Sequence, residues 1–298
     1  MVSQNSESVL IHHAGAYRKH FSSYLKEAFR YLLLIAIGLI LFTPFILAFV
    51  GTCKTNAEIT AYPPKFLPAK WLWTNWVTVW KTDIGRGGTF PRWLWNTTFL
   101  SVTIAVLEAV FSSMAAYAFA RMEFPGKHLV FNFMLATMMI PGAVTLIPAY
   151  VLMSKLKLIN SFFALILPGA VSAGAIFILT QYLKSIPKEL EEAACMDGAT
   201  HLQIYTDIIL PLSRPAILTV LILQFQGMWN SFLPPLLYLN SPDKMVLNVA
   251  LSIFQQTYKA EWNLTLVGTM FNAFPVMLLF FVLSKYYIQG VAFVGIKG

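Results

Sequence analysis

The side chains able to do chemistry are few and unevenly placed. The 298 residues include 21 basic and 13 acidic side chains, and eight of these lie between positions 184 and 214: Lys184, Lys188, Glu189, Glu191, Glu192, Asp197, Asp207 and Arg214. Their pattern suits docking rather than catalysis. Pro187 stands where the first turn of a helix tolerates a missing N–H, and Glu189, Glu191 and Glu192 follow where the helix dipole favours negative charge. Leu190, Ala193 and Ala194 recur at i, i+3 and i+4 and make one small apolar face, and Gly198 is placed to stop the helix. Thr200 and Gln203 have capping-box spacing for a second helix, with Leu202, Tyr205 and Ile209 along one face and Pro211 at its end. Small alanines let a partner's backbone approach closely, and the acidic rim can pair with basic groups on that partner. A solvated amphipathic loop is the plainer alternative.

Other chemistries find no support. No stretch matches G-x-x-x-x-G-K-[ST], G-x-S-x-G, H-E-x-x-H or a paired-cysteine motif, so enzyme activity in this chain is not expected. His12, His13 and His20 lack cysteine or carboxylate neighbours at ligand spacing, and Cys53 and Cys195 fall in different loops, so neither a metal site nor a disulfide is expected. The net charge of +8 is scattered among loops without interleaved aromatics, which argues against nucleic acid.

The elements that must position the charged loop are membrane helices. Hydrophobic residues make up 57% and charged residues 11%, with mean hydropathy +0.65, whereas a soluble domain carries about 25% charged residues. Runs free of Asp, Glu, Lys and Arg cover 31–53, 128–154, 158–183, 215–242 and 262–284, and a further run, 93–120, is broken only by Glu108. Each exceeds the ~20 apolar residues that cross a hydrocarbon core. The expected fold is an all-α integral membrane protein of six transmembrane helices with a helix–turn–helix loop. A tail over 1–30, with a short interfacial helix at 18–30, precedes a retained anchor at 31–53. An outer loop at 54–92 follows, then a five-span core over 93–285 that includes the loop 187–211, and a tail over 286–298. Lys and Arg divide almost evenly between the two sides; Arg18, Lys19, Lys26 and Arg30 before the first span, against Lys54 and Lys65 after it, lean toward an inside N-terminus.

Within this frame, Trp73, Trp76, Val77 and Trp80 recur on one face, which suits a short helix at 71–81 lying along the outer membrane surface, or a sugar-stacking platform. Pro141-Gly142 and Pro234-Pro235 are the expected helix breaks. The sequons at Asn96 and Asn263 read as structural caps. Glu108, the one charged side chain inside a predicted span, must face protein or water; it serves either a substrate path or a bridge between helices.

The loop also resembles a known family. Glu192-Ala193-Ala194, three residues, Gly198, nine residues and Ile208-Ile209-Leu210-Pro211 are similar to the EAA loop of binding-protein-dependent ABC importer permeases. Met139-Ile140-Pro141-Gly142 with Leu146-Ile147-Pro148, Met228-Trp229-Asn230-Ser231-Phe232, and Gly290 with Gly295-Ile296-Lys297-Gly298 look like the shorter, six-span subunit of the maltose-transporter class. The resemblance implies an inner-membrane subunit of a bacterial carbohydrate importer, with both termini and the loop cytoplasmic. It implies a homologous second permease, two ATPase subunits that hold ATP and magnesium, and an extracytoplasmic solute-binding protein as partners; this chain itself carries no cofactor. Glu192, Ala193, Ala194, Asp197, Gly198, Leu210 and Pro211 become the ATPase-coupling residues, with Asp197 either touching the partner or capping the turn. Glu108, Asn230 and Asn272 are the substrate-path candidates. The alternatives are a non-sugar cargo such as glycerol phosphate, disfavoured because no span interior holds Lys or Arg, and a secondary carrier or channel, disfavoured by the lack of an internal repeat.

Overall fold

The computed structural model describes the backbone of residues 4–257 and 261–295, and side chains within 26–255 and 261–282. The chain divides into two units, residues 1–72 and 73–298. In the first, α1 (Gln4–Thr52) contains the apolar stretch Lys26–Thr52, long enough to cross a membrane. The helix expected at 18–30 is not separate from the span, because no proline precedes Pro44. α2 (Asn56–Thr60) is closed by a capping box in which Glu58 N donates to the Thr55 hydroxyl and Thr55 N to the Glu58 carboxylate. Ala69 N donates to the other Glu58 oxygen at 2.8 Å, folding the proline-rich segment back on the helix.

The second unit is built around α4 (Phe90–Arg121), preceded by α3 (Thr74–Lys81). α3 is shorter than expected, and its tryptophans are not all at its surface. The rings of Trp76 and Trp80 pack on Phe271 at 5.0 and 5.5 Å, which leaves Trp76 half-buried, while Trp73, Val77 and much of Trp80 stay exposed.

After α4 come α5 (Lys127–Thr137), α6 (Gly142–Lys155), α7 (Phe163–Gly169), α8 (Ala173–Lys184), α9 (Glu189–Met196), α10 (His201–Leu212) and α11 (Arg214–Trp229). The unit closes with α12 (Leu233–Tyr238), α13 (Leu247–Thr257) and α14 (Trp262–Gly295). Among the described residues there is no strand beyond one antiparallel bridge, Asp83 to Thr89. Four helical stretches are long and apolar enough to span, and six if each bent helix pair counts as one.

The bends follow proline chemistry. The run 128–154 is two helices meeting at 101°, because Pro141 donates no N–H and excludes its predecessor from helical geometry. The run 215–242 also breaks, but not at Pro234-Pro235. It breaks at Asn230–Phe232, and both prolines fall in the first turn of α12, where a missing N–H leaves nothing unpaired. α14 continues past the expected end at 284 as far as Gly295, so most of the expected tail 286–298 is helical; residues 296–298 lie outside the described residues.

α4 packs chiefly on α8 and α11. Its buried face is rich in small residues, among them Ala105, Ala109, Ser112, Ala116 and Ala120, which let neighbouring backbones come close. One core cluster surrounds its C-terminal end, with Ala116, Tyr117, Ala120, Leu179, Leu183, Ile204, Ile209 and Val220. Another surrounds its N-terminal end, with Phe90, Trp93, Leu247, Phe254 and Val267.

Candidate coupling site

The loop between α8 and α11 forms the two short helices its spacing calls for. α9 begins at Glu189, so Pro187 lies just outside the first turn rather than in it. It ends in a Schellman motif: Gly198 N donates to Cys195 O and Ala199 N to Ala194 O, with Gly198 at φ +83°. A Cβ at this φ is strained, although nothing lies within 4 Å of where it would sit. Asp197 is the last, half-helical residue of α9 and is exposed. α10 opens on the expected capping box, with Gln203 N donating to the Thr200 hydroxyl and Thr200 N to the Gln203 side-chain oxygen.

Pro211 does not end α10, which runs to Leu212. The helix accommodates the proline with a π-helical stretch over Ile204–Ile209, in which Leu210 N donates to Tyr205 O, five residues back. The missing Pro211 N–H leaves Asp207 O without an α-helical donor, and the wider turn is the local answer. The π repeat also resets the faces. Ile204 and Ile209 are buried, at 1% and 0% exposure, whereas Leu202, expected beside Tyr205 and Ile209, is 68% exposed.

The inner side of this knob is fastened to α4. Arg121 donates to Ile186 O at 2.7 Å, and its Nε lies 2.6 Å from Glu191 Oε1 in an ion pair that lacks hydrogen-bond alignment. The two side chains are 4% and 14% exposed. Tyr205 Oη and Ser113 Oγ share a hydrogen bond of 2.7 Å, and the Tyr205 ring lies 5.3 Å from that of Tyr117. Ile186, Ala194 and Ala199 pack on the same cluster. One expected acidic contact is thereby corrected: Glu191 pairs within the chain, while Glu189 and Glu192 remain exposed.

The outer side presents Glu192, Ala193, Asp197 and Gly198 to solvent, with Met196 88% exposed beside them. Ala194 is half-buried and turned toward α4. Leu210 is half-buried and Pro211 exposed. Arg121 is not among the residues singled out from the sequence; its place in the last turn of a long span, where a cation suits the helix dipole, is the available signal.

The three substrate-path candidates do not converge. Glu108 is buried on α4, 2% exposed, beside Ser172, whose hydroxyl caps α8 by accepting from Ala175 N. Asn272 belongs to a separate network: its amide donates to Asn248 Oδ1, Asn248 donates to Trp229 O, and Trp229 Nε1 donates to Asn272 O. Asn230 follows Trp229, is exposed, and donates to Gln226 O at the end of α11. Asn96, read as a cap, instead lies inside α4 and donates to Asp243 O and Met245 O. Among the described residues no three His, Cys, Asp or Glu side chains gather at metal-binding distance.

Broken apolar spans with a capped polar helix pair between two of them define a helical membrane subunit. The chain belongs to the family of binding-protein-dependent transport system inner membrane components, whose profile matches residues 108–292, and is a permease subunit of an ABC importer. It is 37% identical over 213 residues to the arabinooligosaccharides transport system permease protein AraQ of Halalkalibacterium halodurans, covering 72% of this chain and 76% of that one. It is 29% identical over 262 residues to the sn-glycerol-3-phosphate transport system permease protein UgpE of Yersinia pestis, covering 87% and 93%. Among solved structures, a chain of a bacterial ABC transporter involved in the import of the acidic polysaccharide alginate superposes with TM-score 0.74 at 25% identity, covering 89% of this chain and 98% of that one.

Proposed function

We propose that this chain forms half of the membrane path for a sugar or oligosaccharide, paired with a homologous permease and driven by two ATPase subunits. The observation that carries the reading is the knob: two capped helices with an exposed Glu192–Ala193–Asp197–Gly198 side, rigidly fastened on the other side to a span. Small side chains there admit a cleft on a soluble partner, and Glu192 and Glu189 offer charge to it. ATP and magnesium are held by the ATPases, and this chain is non-catalytic. Closure of the ATPase pair moves the knob, the spans rock from inward-open to outward-open, and the solute-binding protein releases its cargo into the cavity between the permeases. Residues 184–214 and both termini then face the cytoplasm, and segments 54–92 and 240–262 face the binding protein.

The carbohydrate cargo is supported by the named cargo of AraQ and of the alginate importer. Glycerol phosphate is the second reading, favoured by the likeness to UgpE and opposed by spans without Lys or Arg in their interiors.

Reconstitution of the chain with its partner subunits tests the assembly. Ala193→Arg puts a long cation on the small exposed side, and is expected to leave membrane insertion intact while abolishing solute-stimulated ATP hydrolysis. Hydrolysis at the unmodified rate would overturn the docking assignment. Titration of the associated binding protein with arabino-oligosaccharides, alginate oligosaccharides and glycerol 3-phosphate tests the cargo; binding of the phosphate alone would overturn the sugar reading.

A further inference from the structure

We infer that α4 is the element through which the knob acts on the membrane path, and that Arg121 is the residue that positions the knob on it. The inference rests on the docking reading above and adds the route by which docking is transmitted.

Ser113, Tyr117 and Arg121 are spaced at i, i+4 and i+8, which places them along one face of the last turns of α4. Each holds a different part of the loop. Ser113 bonds the Tyr205 hydroxyl at 2.7 Å, Tyr117 packs on the Tyr205 ring, and both contacts fix α10. Arg121 reaches Ile186 O at 2.7 Å and Glu191 at 2.6 Å, which fixes the entry to α9 and α9 itself. About 12 Å of one helix, at 1.5 Å per residue, therefore grips both helices of the knob.

The geometry within α9 gives the grip a direction. Glu191 points inward to Arg121, and its neighbour Glu192 points outward with Ala193. A load applied to the outer side passes through one helical turn to a buried charge on α4. The pair is little exposed, so solvent and salt screen it weakly. Removing one partner leaves the other charge buried and uncompensated. Arg121 also lies in the last turn of α4, where the helix dipole favours a cation, so its guanidinium is held in place from two sides. Along α4, about 20 Å further at the same rise, Glu108 is buried where α4 packs against α8. Movement of α4 thereby reaches a second span.

The test uses the complete transporter in proteoliposomes with its binding protein, and reads three quantities: ATPase co-purified, ATP hydrolysed, and solute imported per ATP. Arg121→Ala and Glu191→Ala are each expected to retain the ATPase and its hydrolysis while import per ATP falls about tenfold, the scale on which residues along a coupling route change it. The double variant is expected to be no worse than the lower single variant, because the two residues act as one pair. Import and hydrolysis falling in equal proportion, or the two losses multiplying, would overturn the inference. If Arg121→Ala does not insert, Arg121→Lys carries the test: it keeps the charge but cannot serve Ile186 O and Glu191 in the same fork. Reduced import per ATP is then expected, and an unchanged value overturns the role. Failure of the unmodified chain to retain an ATPase refutes the docking reading instead, so the two failures are distinct.

Discussion

At its C-terminal end α4 holds the knob through an ion pair, a carbonyl bond and a tyrosine–serine contact; at its N-terminal end it holds residues 242–247 by neutral hydrogen bonds to main chain. There, Trp93 Nε1 donates to Pro242 O at 2.8 Å, and Asn96 donates to Asp243 O at 2.9 Å and to Met245 O at 3.0 Å. The Thr97 hydroxyl accepts from Leu247 N at 2.7 Å and donates to Trp93 O. Bonds to backbone fix the path of a segment whatever side chains it carries, and they do not titrate. The other end is fastened through side chains whose neighbours face outward to a partner. The contrast separates a latch, which holds a connection still, from a linkage, which holds one side of an element so that its other side can be pushed.

The comparison can be broken at four places. Gly198→Pro should have the largest effect: proline cannot adopt φ +83° and removes the N–H that bonds Cys195 O, so the turn between α9 and α10 is lost. Transport in proteoliposomes should vanish while the span bundle still inserts; retained transport refutes a rigid knob. Asn96→Ala at the latch strips two carbonyls of their donor in a buried setting. A loss of about 2–6 kcal/mol is expected from ~1–3 kcal/mol for each of the two unsatisfied groups, read as a lower unfolding midpoint in detergent with import per ATP unchanged. A change in import per ATP at normal stability would erase the distinction between the ends.

Between the ends, Gly169→Ala puts a Cβ 2.8 Å from Ile104 Cγ2, a branched atom with little freedom to move. Overpacking of this kind costs about 1–3 kcal/mol, and thermal unfolding should register it. The smallest effect belongs to Glu123, in the turn after α4. A hydrogen bond from Lys127 and the attraction of its ammonium hold this carboxyl below its ordinary value of 4.5. A lowered folded pKa means the contact is fully present above the ordinary carboxylate range and is lost as pH falls through the lowered value. Amide protection over 122–128, corrected for the intrinsic pH dependence of exchange, should fall on acidification below pH 4.5 relative to Glu123→Gln, in which that loss is absent. No matching change is expected at 242–247, where the bonds to α4 are neutral.

The parts of this molecule legible beforehand share a short range. Gly198 as a stop, Thr200 and Gln203 as a cap, and the break at Pro141 each depend on a few consecutive residues and on backbone sterics that any helix obeys. The misread parts depend on context. Pro234 and Pro235 break a helix only if the helix is still running when it reaches them, and it had stopped at Trp229. Leu202 left the inner face because a π turn, provoked by Pro211 nine residues later, changed the repeat on which the face was counted. Asn96 looked like a cap because the span was taken to start at 93, whereas the helix starts at Phe90.

Charge scarcity and apolar run length suffice to make this chain a helical membrane protein, because a bilayer penalises unpaired backbone and exposed charge wherever they occur. Local spacing suffices to make residues 187–211 a capped helix–turn–helix, since each cap is satisfied within five residues. Partnership is different. Whether Glu191 faces a foreign subunit or Arg121, seventy positions earlier, depends on which way α9 rolls, and packing of Ala194 and Ala199 against α4 sets that roll. Glu108 likewise became buried only when neighbouring helices came to lie beside α4. Contacts between distant segments are chosen by the burial of whole faces, and no local spacing encodes them.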